Sequence, residues 1–234
     1  MIELEKVGFQ YPGTTNRALS DVTLKLTNRR VAIVGANGSG KTTLLKSVAG
    51  LALPVSGTIR ADGIPVCEDN QLEIMRRVVY CPQVADEQLN AMSVYGEVGL
   101  PLLFSDTPRQ EQGAVIRRAL DRIGIGSLEM RFVDSLSPGE KKKVVLARSL
   151  VIECSTLLVD EPTANLDPRS SREILEILDA FAADGVAIVL ATNLLSEAST
   201  WAEEVVILKN GSVAATGGPS LLSDERVLLE AGLR

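Results

Sequence analysis

A glycine-rich segment that ends in a lysine and a threonine is the first part of this sequence whose residue types could do chemistry. Residues 35–42 read Gly-Ala-Asn-Gly-Ser-Gly-Lys-Thr, after the apolar run 31–34 and before the helix-prone run 43–49. Glycines let the backbone curl so that several N–H groups face one anion, and a following helix adds its positive end. This strand–loop–helix context fits the P-loop pattern G-x-x-x-x-G-K-[ST] and predicts a nucleoside triphosphate site.

The side chains of this segment predict how the phosphates and a metal ion are held. Lys41 supplies a full charge for the β- and γ-phosphates, and Thr42 supplies an oxygen for Mg²⁺. The alternative interpretation is a glycine-rich turn before a core helix. The predicted ATP-binding residues of the segment are Gly35, Asn37, Gly38, Ser39, Gly40, Lys41, Thr42 and Thr43.

An acidic pair follows a second apolar run, Leu157-Leu158-Val159. Asp160 and Glu161 would stand at the carboxyl end of a strand, where ligands bind in open α/β sheets. Asp160 could hold Mg²⁺ through water, and Glu161 could orient or deprotonate an attacking water. Acid pairs at strand ends are common, but behind a P-loop this pair favours hydrolysis of the nucleotide.

A helix is predicted to begin after Ser137, with Pro138 at its first position. The hydroxyl of Ser137 and the N–H groups behind it could meet an anion. An ordinary capping motif explains the same residues. The later run Lys141-Lys142-Lys143 is predicted to be a solvated helix face.

Composition bounds the class of protein. The 234 residues are 45% hydrophobic, which suits one or two compact domains, and the net charge of −6 argues against broad nucleic-acid binding. The sequence has no apolar run of the roughly 18 residues that a membrane span needs. Its three cysteines are widely spaced, which fits a reducing cytosol.

The order of the patterns predicts an α/β fold. Strand patterns dominate the first 66 residues, and helical patterns dominate residues 86–153, including a helix over 109–123. A strand over 156–159, a helix over 168–183 and a strand over 186–190 predict a parallel sheet. A hairpin is predicted around Asn210-Gly211, with short helices after residue 219.

Together these motifs resemble the ATP-binding cassette of ABC transporters over nearly the whole chain. Residues 35–42 match Walker A, 157–161 match Walker B, and 136–140 match the signature Leu-Ser-Gly-Gly-Gln. The resemblance implies a P-loop NTPase (RecA-like) core with an antiparallel β subdomain and an inserted α-helical subdomain. The implied divisions of this single 1–234 domain are a core of about 1–85 and 154–218, a helical subdomain of about 86–153, and a tail of 219–234.

The resemblance also implies roles for residues outside the P-loop. Tyr11 matches the aromatic that stacks on adenine, although it could be a half-buried strand aromatic. Gln83 matches the glutamine that reaches the metal and the attacking water, so the implied magnesium ligands are Thr42, Gln83 and Asp160. The implied catalytic residues are Glu161, Gln83 and Asn193; the D-loop residue is Asp167; and the signature residues for a partner's ATP are Ser137, Gly139 and Glu140.

The family's mechanism implies partners. Two cassettes pack head to tail around ATP and Mg²⁺, and they drive a separate transmembrane subunit from the cytoplasmic face of the cell membrane. The segment 84–89 resembles that of energy-coupling-factor and cobalt or nickel importer ATPases, which often pair two unlike chains. Part of the apolar stretch 94–104 is predicted to dock on the membrane partner, with helical core as the alternative.

Three positions depart from the family pattern. Pro138 replaces a glycine and Glu140 a glutamine, which adds a negative charge near a phosphate site. Asn193 stands where the family has a switch histidine, and the chain has no histidine at all. Asparagine can donate a hydrogen bond but cannot become cationic; alternatively, Asn193 is only a turn residue.

The rival hypotheses are a degenerate cassette that clamps ATP without hydrolysing it, and a soluble ABC ATPase outside transport.

Overall fold

Ten β-strands and eight α-helices follow one another along residues 1–233, the part of the chain that the computed structural model describes. The last residue of the predicted tail, at position 234, lies outside the described residues. The strands are β1 (Ile2–Phe9), β2 (Leu19–Leu26), β3 (Arg30–Val34), β4 (Ser56–Ala61), β5 (Ile64–Pro65), β6 (Val78–Cys81), β7 (Thr156–Asp160), β8 (Ala187–Thr192), β9 (Glu204–Lys209) and β10 (Ser212–Gly217).

The helices confirm the predicted helical stretches, including 109–123, 168–183 and the short helices of the tail. They are α1 (Lys41–Val48), α2 (Gln71–Arg77), α3 (Val94–Gly99), α4 (Arg109–Ile123), α5 (Pro138–Ile152), α6 (Pro168–Ala183), α7 (Leu195–Trp201) and α8 (Glu225–Ala231). Short 3₁₀ helices span Glu68–Asn70, Ala85–Glu87, Leu100–Phe104, Gly126–Leu128, Val133–Ser135 and Pro219–Ser223. None of the helices within residues 1–233 has both the length and the apolar character needed to cross a bilayer.

Contacts divide the chain into two units. The first unit comprises Met1–Tyr80, Ser155–Glu161 and the residues from Phe181 on, and the second comprises Cys81–Cys154 and Pro162–Ala180. Most of α6 therefore groups with the helical residues. The domain boundaries expected from the sequence stay a prediction.

Two sheets build the first unit. One is antiparallel, with the strand order β2-β1-β4-β5, and the other has the order β10-β9-β3-β8-β7-β6. In the second sheet β3 pairs in parallel with β8 and β9, and β7 pairs in parallel with β8. The predicted parallel sheet, the hairpin of β9 and β10, and the antiparallel β subdomain are confirmed.

Strand register decides which loops meet. Val34 at the end of β3 pairs with Thr192 at the end of β8, and Asp160 at the end of β7 pairs with Ala191. The carboxyl ends of three neighbouring strands therefore lie at one edge of the sheet. The loops that leave this edge begin at residues 35, 161 and 193.

A continuous apolar core fixes this edge. Aliphatic side chains of both sheets and of α1 pack together, among them Val7, Leu45, Ile59, Leu158 and Val206. Full burial of such a side chain contributes roughly 1.5–3 kcal/mol. The loops at the strand ends are thus carried by a rigid support.

In the second unit, α5 begins as predicted, with Ser137 as its N-cap and Pro138 in its first turn. Ser137 and Glu140 form a capping box: the Glu140 N–H donates to Ser137 Oγ at 3.3 Å, and the Ser137 N–H donates to Glu140 Oε2 at 2.7 Å. These reciprocal bonds satisfy two N–H groups that the helix itself cannot. α5 therefore has a defined start within the second unit.

The prediction of a solvated lysine face on α5 is wrong. Lys142 is buried, and its ammonium donates to the carbonyl oxygens of Pro162 at 2.7 Å and Ala164 at 3.2 Å. Lys141 and Lys143 form ion pairs of 2.6 Å with Asp86 and Glu173. Consecutive helical residues lie about 100° apart, so three successive lysines cannot share one solvated face.

Candidate functional site

The P-loop lies between β3 and α1, at the sheet edge described above. Gly38 and Gly40 have positive φ values of 79° and 106°. A Cβ on Gly40 would stand 2.8 Å from the carbonyl oxygen of Ala18, so a side chain there would meet both strain and a clash. The loop can therefore curl tightly into the first turn of α1, whose N-cap is Gly40.

Lys41 folds back over its own loop. Its ammonium is buried and donates to the carbonyl oxygens of Gly35 at 2.8 Å and Ala36 at 3.3 Å. Glu161 Oε1 lies 3.8 Å from the same nitrogen. Burial lowers the pKa of Lys41, and the carboxylates of Glu161 and Asp160 oppose that effect. A buried cation held by two neutral carbonyls and a distant carboxylate can exchange those carbonyls for the oxygens of a phosphate.

Ser39 gives a second sign that this loop suits an anion. Its hydroxyl oxygen is buried, and within residues 1–233 it has no hydrogen-bond partner. A buried polar atom without a partner costs about 1–3 kcal/mol. A phosphate oxygen beside the loop would supply the missing partner. The loop thus fits the phosphates of a nucleotide by its backbone, by Lys41 and by Ser39.

The acidic pair lies beside the loop. Asp160 is the buried last residue of β7, and the Glu161 N–H donates to the carbonyl oxygen of Ala191 at 2.8 Å. Glu161 has a φ of 43°, which non-glycine residues rarely adopt and which often marks functional positions. The Asp160 carboxylate and the Thr42 hydroxyl are hard oxygen donors of the kind Mg²⁺ takes when it also binds phosphates. The residues present therefore fit a magnesium ion that arrives with the nucleotide.

Asn193 follows β8 at the same edge and is exposed. Its side-chain nitrogen donates to Asn37 Oδ1 of the P-loop at 3.5 Å, which is long for a hydrogen bond. The turn into α7 is closed by the Thr192 hydroxyl, which accepts from the Leu194 N–H at 3.0 Å. The side chain of Asn193 therefore lies near the P-loop, and a different side chain closes the turn.

Tyr11 lies in the loop after β1, not in the strand. Its ring is 42% exposed and packs edge-on against Phe9, with ring centroids 4.9 Å apart. Its hydroxyl lies 3.1 Å from Thr43 Oγ1 in α1. An exposed ring tied to the first turn of the P-loop helix is available for stacking on a flat ligand.

The remaining predicted site residues belong to the second unit. Gln83 is exposed two residues after β6, and Ser137, Gly139 and Glu140 form the start of α5. The Ser137 N–H and hydroxyl, and the Arg131 guanidinium 3.8 Å away, hold the pKa of Glu140 below its usual range. The added negative charge of Glu140 is thus engaged by its own helix start.

Asp167 also has a local structural task. Its carboxylate accepts from the N–H groups of Arg169 and Ser170 at 2.9 and 3.0 Å and from the Ser170 hydroxyl at 2.5 Å. These bonds, led by the one from the Ser170 hydroxyl, lower the pKa of Asp167. Asp167 therefore anchors the first turn of α6, whatever else it contacts in an assembly.

The sequence reasoning missed one residue of this site. The Tyr80 hydroxyl donates to Asp160 Oδ2 at 3.1 Å, and both groups are buried. No motif includes Tyr80, and only the β-prone run 78–81 and its closeness to Gln83 in sequence could have drawn attention to it.

Comparisons with known proteins agree with this geometry. A family model described as "ABC transporter" matches residues 19–164. The chain is 32% identical over 238 residues to the energy-coupling factor transporter ATP-binding protein EcfA2 of Methanospirillum hungatei, covering 100% of this chain and 60% of that protein. It is 39% identical over 224 residues to the nickel import ATP-binding protein NikO of Rhodobacter capsulatus, covering 92% of this chain and 88% of that protein.

Among solved structures, the chain resembles the ATP-binding cassette MJ0796, described as a dimer in a post-hydrolysis state bound to ADP and Pi. The TM-score is 0.85 at 25% identity, and the match covers 94% of this chain and 99% of that one. The length of the match differs among the relatives, since the chain spans only 60% of EcfA2.

Proposed function

The chain belongs to the ABC transporter family, and from this premise we propose that it binds and hydrolyses ATP as the motor subunit of a membrane transporter. The resemblance to energy-coupling-factor and nickel importer ATPases is confirmed by the named relatives, whereas the match of the segment after Gln83 stays a prediction. In this proposal the cargo is recognised by other subunits.

One observation carries the proposal. Lys41, Glu161 and the P-loop meet at one sheet edge, with Lys41 Nζ 3.8 Å from Glu161 Oε1. In the proposed complex Lys41 leaves the Gly35 and Ala36 carbonyls and binds the β- and γ-phosphates. The N–H groups of the loop and the Ser39 hydroxyl bind phosphate oxygens.

The acids at the edge, together with two amide side chains, carry the hydrolytic step. Thr42 and, through water, Asp160 would hold Mg²⁺, and the bound ion would neutralise developing phosphate charge. Glu161 accepts a proton from the attacking water, and Gln83 and Asn193 orient that water or the γ-phosphate. Tyr11 stacks on the adenine and fixes the base relative to α1.

We propose a dimer of cassettes, which the dimeric relative supports, and we propose that its two chains pack head to tail. Ser137, Gly139 and Glu140 of one chain would contact the ATP held by the other, and Asp167 would lie at the same interface. The pairing is with a second copy or with an unlike cassette. The dimer would work at the cytoplasmic face of the cell membrane, on a separate transmembrane subunit.

The second unit offers apolar surface for that subunit. Leu103 and Phe104 are 70% and 80% exposed on the 3₁₀ helix after α3, whereas Leu102, Val94 and Val98 are buried. The buried residues fit the interpretation of stretch 94–104 as helical core. The two exposed residues at its end are the part we propose for docking.

A second candidate function is a cassette that clamps ATP without hydrolysing it efficiently. The position of Asn193, 3.5 Å from Asn37, favours it, because an amide there can donate a hydrogen bond but cannot carry a charge. Losing one preorganised transition-state donor costs about 10²–10³ in rate. In a mixed dimer the partner's complete site would then do most of the hydrolysis.

Turnover by the purified chain distinguishes the two candidates. We expect MgATP binding with slow hydrolysis, and a rise in turnover of about tenfold or more in Asn193→His. Glu161→Gln in that background should remove the gain, because the proton acceptor is lost. Fast hydrolysis by the unmodified chain, or no gain in Asn193→His, would show that Asn193 does not limit this site.

A further inference from the structure

Tyr80 joins two strands of the first unit through the acid proposed for magnesium. It lies in β6 with only 7% of its side chain exposed, and its hydroxyl donates to Asp160 Oδ2 at 3.1 Å. A buried phenol hydroxyl needs a hydrogen-bond partner. Here that partner is a carboxylate, which gives the bond an ionic acceptor.

This bond restricts the Asp160 carboxylate. The terminal torsion of an aspartate is broad, so the carboxylate of an unsupported side chain can rotate. A donor on Oδ2 selects one orientation and fixes which oxygen turns towards β6. Magnesium demands near-ideal octahedral geometry, so a ligand that is oriented before the ion arrives binds it better.

A cation lies over the ring of Tyr80. Lys46 Nζ, on the P-loop helix α1, lies 5.8 Å from the centre of the Tyr80 ring. A positive charge over the ring is attracted to its electrons and stabilises negative charge on the phenol oxygen. That makes the hydroxyl a stronger donor to Asp160. Lys46, Tyr80 and Asp160 thus form a row from α1 through β6 to β7, entirely within the first unit.

We propose that Tyr80 is a positioning residue for magnesium, holding the Asp160 carboxylate in the orientation that receives the ion bound to ATP. This inference rests on the proposed function, because it requires that MgATP binds at the P-loop. In the proposed complex, Tyr80 contacts neither the nucleotide nor the attacking water. It acts only through Asp160, and Lys46 acts only through Tyr80.

The test uses Tyr80→Phe, which keeps the ring and its contact with Lys46 and removes only the hydroxyl. Calorimetric titrations of ATP at a series of free Mg²⁺ concentrations give the Mg²⁺ needed for half-maximal affinity. Loss of a group that orients a metal ligand typically costs 10–100-fold in metal affinity, so we expect that Mg²⁺ requirement to rise about 10–100-fold. ATP affinity in EDTA should be unchanged.

Two further variants separate positioning from a merely structural role. Tyr95→Phe removes a phenol hydroxyl in the second unit and should leave the Mg²⁺ dependence as in the wild type. Lys46→Met removes the cation over the ring and should raise the Mg²⁺ requirement by about fivefold at most. In the Tyr80→Phe background Lys46→Met should add nothing, because the two act in series.

The outcomes are distinct. A wild-type Mg²⁺ dependence in folded Tyr80→Phe overturns the positioning role, even if the variant is less stable. Equal losses of affinity with and without Mg²⁺ also overturn it, because they indicate general damage to the loop. If Tyr80→Phe does not fold, the shift in Lys46→Met decides, and its absence overturns the proposal. No ATP binding by the wild type would instead refute the proposed function.

Discussion

The buried charges of the two units are satisfied in different ways. In the first unit, the Lys41 ammonium is held by two carbonyl oxygens and lies 3.8 Å from its nearest carboxylate, Glu161. In the second unit, the Glu97 carboxylate has no exposed surface and accepts from Arg148 at 2.8 Å and from the N–H groups of Asn90 and Ala91 at 2.8 and 2.7 Å. The first charge has neutral hydrogen-bond partners and a carboxylate at 3.8 Å, whereas the second has an ionic partner and two N–H donors at hydrogen-bond distance.

The difference indicates what each charge is for. A charge with complete short-range partners stabilises the fold, and Glu97 ties the segment 90–91 to α3 and α5. Burial of a charge beside only neutral or distant partners costs free energy in the isolated chain. Binding of a ligand with the opposite charge offsets that cost. We therefore propose that Glu97 serves folding and that Lys41 serves MgATP, and substitutions of these and related groups test that assignment.

The largest expected effect on stability comes from Glu97→Ala. The change leaves Arg148 without its carboxylate and two buried N–H groups without an acceptor. Breaking a buried pair by removing one partner costs about 3–5 kcal/mol. We expect the free energy of unfolding in urea to fall by that amount. Glu111→Ala, an exposed residue of α4, is the control and should change it by less than about 0.5 kcal/mol. Equal small losses of unfolding free energy in both variants would show that Glu97 does not stabilise the fold.

A smaller effect is expected at the start of α5. Ser137→Ala removes the N-cap oxygen and should lower the free energy of unfolding by about 1 kcal/mol in the absence of nucleotide. The exposed Ser220→Ala serves as its control. If Ser137→Ala leaves stability unchanged while weakening ATP-dependent dimerisation, then Ser137 serves the ligand only, and its N-cap does not stabilise the fold.

The smallest effect concerns pH at the same helix start. The Ser137 N–H lowers the pKa of Glu140 in the folded chain, so its contribution to stability is present above the ordinary pKa of about 4.5. It is lost as the pH falls through the lower folded value. The difference in unfolding free energy between wild type and Glu140→Ala should therefore shrink on going from pH 7 to pH 3. A difference that grows at low pH would contradict the sign of this linkage.

The sequence predicts the strand ends of the first unit well, and for a simple reason. Three apolar runs predict strands that end just before Gly35, Glu161 and Asn193. These residues come together if the strands are parallel and end at the same edge of the sheet, and the registers of β3, β7 and β8 show that they do. The start of α5 at Ser137 is also predictable from local sequence, because the N-cap serine and the proline stand within four residues of each other. The functional roles of these residues stay predictions.

Contacts between distant parts of the chain could not be predicted. Tyr80 and Asp160 are 80 residues apart, and their contact depends on β6 lying beside β7 at the end of the sheet. Burial of Lys142 depends on carbonyls 20 and 22 residues further on, which no periodicity reveals. In the sequence, Glu97 is one charged residue among several in a helical stretch. No local pattern indicates that the Asn90 N–H donates to its carboxylate.

The most direct test of the assignment is the increase in unfolding free energy that MgATP causes. At a concentration 100 times the wild-type Kd the increase should be about 2.7 kcal/mol for the wild type. Loss of the charged contacts in Lys41→Ala should weaken affinity about tenfold or more, which reduces the increase to about 1.4 kcal/mol or less. Without nucleotide, Lys41→Ala should be as stable as the wild type. An equal increase in both proteins, or a nucleotide-free loss as large as that of Glu97→Ala, would contradict the assignment of Lys41 to the ligand.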